Sequence, residues 1–381
     1  MFRKMPFVLI FVIIAALLLG KFVSYETKQI FYAISLTIKS LIIFLLPLII
    51  FGLLFKTMVS LARRATLIIL LVLFCVCFSN VISTFLSHFV GEWVYHLDLS
   101  LVKPDRARAL SPAWTWEFPT LIANDRAMLA GIVTGIFLGL FQSTTVQRLA
   151  DQLDWLVLKI LASFAWLIPL FVAGFMVKLQ YDGVVQLIFK DYLLILATIA
   201  LALIAYLLFL YVAFNRFNFK KTVLCLRNLL PAAIAGFGAM SSAAAMPLTI
   251  AGAEANAKNK NLAGSVIPLT VNIHLIGDCF AIPIFAYAVM KSYGMAEPSL
   301  MVYLVFLAYF VIAKFSVAAV PGGGILVMLP ILEKHLGFNA EMLSLMTALY
   351  VLFDPVITCA NVLGNGAFSK GIDVLSDVLK K

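Results

Sequence analysis

Four polar side chains near the C-terminal end, Asp354, Thr358, Asn361 and Asn365, follow one another at spacings of 4, 3 and 4 residues inside the apolar run F-D-P-V-I-T-C-A-N-V-L-G-N-G-A-F. At 3.6 residues per turn that spacing puts all four on one face of a helix. A carboxylate, a hydroxyl and two amides in line are an acceptor set suited to an ammonium group or a cation. Read blandly, the same stripe is a hydrogen-bonded seam between helices. A second polar group lies in P-L-T-V-N-I-H-L-I-G-D-C-F, Pro268 to Phe280, where His274 and Asp278 are 4 apart. Helical side chains at that spacing meet, and the unperturbed imidazole pKa of ~6.5 makes a His/Asp pair a candidate proton carrier. Equally, His274 could bond a neighbouring helix while Asp278 pairs with Lys314. Ser241 and Ser242, and the glycines Gly322, Gly323 and Gly324, sit in small-residue stretches and complete the set.

These residues need elements able to hold polar groups in an apolar chain. Of 381 residues 64% are apolar and only 12% charged, against ~45–50% and ~25% in soluble domains. Mean hydropathy is +1.07. At roughly 20 residues per bilayer-spanning helix, the composition describes an all-α polytopic membrane protein. It excludes a soluble enzyme and a nucleic-acid-binding domain. The net charge of +10 resides in short loops and reads as membrane orientation. Arg3 and Lys4, Arg63 and Arg64, Arg216 to Arg227, Lys258 and Lys260, and Lys380 and Lys381 share one side if six spans precede residue 216. That side is the cytoplasm, with both termini. Phe7–Gly20 lacks a small-x-small cleavage site and reads as the first span. The segment Val94–Arg126, with Trp114 and Trp116, reads as an interfacial lid.

Two hydrophobic segments are interrupted. Leu229–Ile250 carries G-F-G-A-M-S-S-A-A-A-M-P between Pro231 and Pro247, and Lys314–Leu332 carries A-A-V-P-G-G-G-I-L. Each reads as two half-helices meeting at a tip. Irregular backbone at membrane depth survives only when buried or lining a wet cavity, and paired interruptions point to a transporter site. Five cysteines and four histidines form no CxxC pair and no HExxH pattern, so no metal centre or cofactor is expected. Ser241 or Ser242 with His274 and an Asp makes a hydrolase triad on paper only, because serine at such a tip needs no activation to bind a ligand.

At this point the order of motifs resembles the dicarboxylate/amino acid:cation symporter family, over nearly the whole chain. F-L-L-P-L-I-I-F-G-L-L (Phe44–Leu54) is similar to the family's second helix, and G-F-G-A-M-S-S-A-A-A-M-P-L-T to its first hairpin tip. V-P-G-G-G resembles the second tip, V-P-G-A-G, and D-P-V-I-T-C-A-N-V-L-G-N the last-helix motif D-x-x-R-T-x-x-N-V-x-G-D. The resemblance implies eight transmembrane helices plus two re-entrant hairpins and a homotrimer. Residues 1–214 would be the scaffold, with parts of the third and sixth helices lent to the core. Residues 215–381 would be a transport core moving as an elevator: first hairpin ~225–255, seventh helix ~262–290, second hairpin ~300–335, eighth helix ~340–372. It further implies that Asp354 holds a substrate amino group, that Thr358 with Ser241 and Ser242 seats a carboxylate, and that Gly322–Gly324 form a gate.

The departures bear on substrate and ion. The family arginine that grips a side-chain carboxylate falls on Ile357, and guanidinium is the group suited to that grip. Asn365 stands for a sodium-binding aspartate, His274 for an asparagine ligand and Ile276 for a further aspartate. Hard cations want oxygen ligands and compensating charge. Altered coupling is therefore expected, with H+ through His274/Asp278 or Na+ as the ion and Lys314 as a fixed cation. The chain reads as a symporter of a small amino acid or related carboxylate in a bacterial inner membrane, with no nucleic-acid partner. The other readings are a sodium-coupled dicarboxylate or acidic amino acid symporter, and an uncoupled channel or sensor on the same fold.

Overall fold

A computed structural model describes residues 22–379 apart from 64–66, 98–109, 120–121, 183–184 and 318–321, with scattered positions before residue 22. Half of the expected first span, Val320 and Pro321 of the second tip, and the basic pairs at both termini lie outside the described residues. Among those described, the chain is all-α with no strand. The helices are α1 Tyr25–Arg63, α2 Leu67–Tyr95, α3 Asn124–Leu140, α4 Thr144–Tyr181, α5 Val185–Phe214 and α6 Phe219–Ala239. They continue with α7 Ser242–Asn256, α8 Lys260–Thr270, α9 Ile276–Ser292, α10 Leu300–Ala313, α11 Gly323–Leu336 and α12 Ala340–Leu379. Four described segments, within α2, α5, α6 and α12, are long and apolar enough to cross a membrane.

Packing sorts the helices into two groups. α1 lies along α3 and α4, whereas α2 packs on α9 and α10, and α12 packs on α5 through α9. The second group therefore draws α2 and α5 out of the first half of the sequence. Few elements join the groups: α1 touches α11 and the 3-10 turn Lys314–Ser316, and Lys178 of α4 pairs with Glu341 of α12 at 3.2 Å. Burial follows this arrangement. The spanning window of α12 is 83% buried and that of α5 only 22%, so α12 is an inner helix and α5 presents its apolar surface outward. The segment after α2 lies on α1: Trp114 Nε1 donates to Thr37 Oγ1 and the Phe118 amide to Ser40 Oγ.

Both expected interruptions are real breaks whose arms pack on each other, α6 on α7 and α10 on α11. A third break was not expected. The sequence predicts one helix over ~262–290, but the chain unwinds at Val271–Leu275 between α8 and α9. The carbonyls this frees are met by other elements: Asn80 Nδ2 of α2 donates to the Ile273 oxygen at 2.7 Å, and Asn365 Nδ2 of α12 to the His274 oxygen at 3.2 Å. Unwound backbone in an apolar interior persists where such donors exist.

Candidate functional site

The stripe on α12 forms one wall. Asp354, Thr358, Asn361 and Asn365 are all buried, and Tyr350, one turn earlier, extends the same face. A buried carboxylate needs partners, and Asp354 has two. Thr358 Oγ1 donates to its Oδ1 at 2.9 Å, and the Gly322 amide at the second tip donates to its Oδ2 at 2.9 Å. Gly322 adopts φ +71° at the start of α11, a left-handed conformation that glycine takes without cost. Its amide can therefore turn down onto the carboxylate.

The opposite wall is the first turn of α9. Asp278, 1% exposed, accepts from Tyr350 Oη at 2.6 Å through Oδ1. Its Oδ2 lies 3.3 Å from Lys314 Nζ, and Lys314 is itself fully buried with its ammonium 4.3 Å from the centre of the Phe310 ring. Gly324 packs so tightly here that a Cβ would collide with the Tyr350 hydroxyl and come within 3.0 Å of Asp278. The third wall is the first tip. Met240 turns the chain with φ +49°, and Ser241 caps α7 by accepting from the Ala244 amide at 3.2 Å. Between these walls lies a narrow cleft of ≈ 20 Å³, room for about one water and far below the ~300–1,000 Å³ of a formed ligand pocket.

Of the residues singled out in the sequence, Ser241, Ser242, Asp278, Gly324, Asp354, Thr358 and Asn361 line this cleft. Gly322 and Gly323 belong to the same tip, Gly322 through its bond to Asp354. Ile357 is fully buried but off the wall; the backbone of Gly277 packs against its carbonyl. Asn365 lies a turn deeper, bonded to the His274 and Asn361 carbonyls. Arg126, at the start of α3, is exposed and away from the cleft.

The expectation that His274 and Asp278 share a helix face is corrected. His274 lies in the unwound stretch, where its Nε2 meets Ser79 Oγ at 2.9 Å and its ring lies tilted by 39° against Phe368, 4.4 Å between centroids. Asp278 turns instead to Lys314 and Tyr350. The break between α8 and α9 rotates the two side chains apart, so the i,i+4 rule has no helix to act on. The imidazole is equally remote from a hydrolase role, because its partner is Ser79 rather than Ser241 or Ser242.

Sequence reasoning passed over Tyr350, Ser79 and Asn80. Each had a signal. Tyr350 extends the α12 stripe backward by another interval of 4, and α2 carries its own stripe of Ser79/Asn80, Ser83/Thr84 and Ser87/His88 at 4-residue spacing. Asn80, Ser83, Thr84 and Ser87 are fully buried.

The residues that the sequence resemblance places at cation positions do not make an oxygen cage. Ile276 is buried against Gly364, and Asn361 Oδ1 is already taken by the Gly277 amide at 2.8 Å. Asn365 Oδ1 alone of the two stripe amide oxygens has no hydrogen bond among the described residues. A hard cation takes several oxygen ligands, and one amide oxygen beside an imidazole is a poor substitute.

A search of curated proteins finds no match to this chain. A model of the sodium:dicarboxylate symporter family matches residues 5–374. With that coverage, and with the broken segments and buried polar stripe in place, the chain belongs to the sodium:dicarboxylate symporter family, whose members are membrane transporters and not enzymes.

Proposed function

We propose that this protein is a secondary active transporter of a small zwitterionic amino acid, working as an elevator in a homotrimer. The group built on α1, α3 and α4 is the scaffold. The group built on α2 and α5–α12 is the moving core, and both termini face the cytoplasm of a bacterial inner membrane. The observation that carries the substrate class is the charge on the wall of the cleft. Asp354 presents a carboxylate to an incoming ammonium group, and no basic side chain lines the cleft among the described residues. Lys314 lies behind the wall, held by Asp278. A substrate carboxylate would meet the backbone and hydroxyls of the first tip and Thr358, as at helix N-termini elsewhere. A second, side-chain carboxylate would find no counter-charge, and burying it unpaired is costly.

Sodium-coupled transport of a dicarboxylate or an acidic amino acid fits this wall less well. An uncoupled pore is separated from a carrier by saturable exchange. The test is counterflow in proteoliposomes loaded with alanine, serine, aspartate or succinate. Labelled neutral amino acids should exchange saturably, with aspartate and succinate at least tenfold weaker. Exchange of succinate or aspartate in preference to alanine and serine would overturn the substrate assignment. Non-saturable flux of all four would overturn the carrier.

A further inference from the structure

Lys314 pairs with Asp278, the alternative the sequence offered to a His274/Asp278 pair. It is a fully buried ammonium, and it stands at the end of α10, in the first arm of the second broken segment. The side chain opposite it, Asp278, belongs to a different element and faces the cleft. The far arm of the same segment also seats on Asp278, through Gly324, and on Asp354, through the Gly322 amide. The two arms thus converge on the two buried carboxylates of the site, one arm bringing a charge and the other an amide.

We propose that Lys314 is a tethered cation that takes the place of a carried one: its ammonium supplies the positive charge beside Asp278, so that carboxylate holds no sodium ion. This deepens the transporter reading and rests on it. Three observations support the exchange. The stripe amides offer little to a hard cation: Asn361 Oδ1 is taken by the Gly277 amide, which leaves Asn365 Oδ1 without a hydrogen bond among the described residues. Asp278 accepts from Tyr350 through one oxygen, and its other oxygen faces the Lys314 ammonium at 3.3 Å as an ion pair. A second cation at that carboxylate would sit beside a fixed ammonium in a medium that screens little.

The test uses the purified full-length protein and its thermal unfolding in sodium chloride and in choline chloride at equal ionic strength. Wild type should unfold at the same temperature in both. Lys314→Met leaves Asp278 unpaired; it should unfold several degrees lower in choline and regain part of that loss with sodium, saturably. Asp278→Asn/Lys314→Met should recover most of the stability and lose the sodium response. The proposal is overturned by a saturable sodium stabilisation of wild type that Asp278→Asn removes, or by a Lys314→Met protein indifferent to sodium. If Lys314→Met does not fold, recovery of folded protein in the double variant supports the pairing, and failure to recover it overturns the pairing. Absence of counterflow of any amino acid by wild type would reject the carrier reading alone, since the unfolding experiment does not depend on transport.

Discussion

The two broken segments end helices in the same apolar interior by different means. The first is self-contained: Met240 accepts a left-handed backbone at φ +49°, and Ser241 caps the next helix from within the tip. Its first arm, α6, leaves Leu230, Ile234 and Phe237 exposed. The second borrows its partners. Gly322 supplies the left-handed turn, its amide rests on Asp354, Lys314 rests on Asp278, and α11 is buried from Gly323 through Leu332. A tip that completes itself stays put whatever occupies the cleft. If Asp354 holds the substrate as proposed, the second tip is released or locked by that ligand, which is what a gate requires.

Substitutions at the two tips sharpen this contrast. The largest effect should come from Asp354→Asn, which removes the charge under the second tip and, on the proposed reading, the negative partner of the substrate's ammonium group. Truncating one side of a buried charged pair costs ~2–5 kcal/mol, so counterflow should fall roughly thirtyfold or more while the protein remains folded by circular dichroism. Retention of wild-type exchange would remove Asp354 from the site.

Next comes a matched pair of glycines. In Gly324→Val the new side chain meets the Tyr350 hydroxyl and Asp278, and overpacking of this kind costs ~1–3 kcal/mol. Exchange should drop about tenfold. In Gly238→Ala, in the first tip, a Cβ meets nothing within 4 Å, and exchange should be unchanged. Equal losses in both would erase the distinction between the tips.

The smallest effect concerns backbone strain. A non-glycine residue in the left-handed region costs roughly 1–2 kcal/mol. Gly322→Ala should therefore lower the unfolding temperature slightly. If Gly322→Ala is neutral, the φ of +71° at that position is not needed for closure.

Much of the site could be read in advance, because helical spacing is a local property. The stripe from Asp354 to Asn365 is legible as soon as the run is taken as a helix, and α12 is one. The two interruptions are legible because runs of small residues, serine and glycine supply too little side chain to fix a continuous span. What could not be read was the break at Val271–Leu275. Nothing in P-L-T-V-N-I-H-L-I-G-D forbids a helix there, since Pro268 lies within α8 itself. The unwound form is held by Asn80 and Asn365, donors from helices remote in sequence.

The amino-acid order by itself settled the apolar all-α character, the positions of the two tips and the face of α12 that carries oxygen atoms, because each depends on neighbours within a turn or two of the chain. Only the folded arrangement decided which charges meet. Asp278 ignores the histidine 4 positions before it and pairs with a lysine on another segment, because an ion pair in a weakly screening interior is governed by distance through space. That distance was set by an unwinding which the residues around it do not dictate.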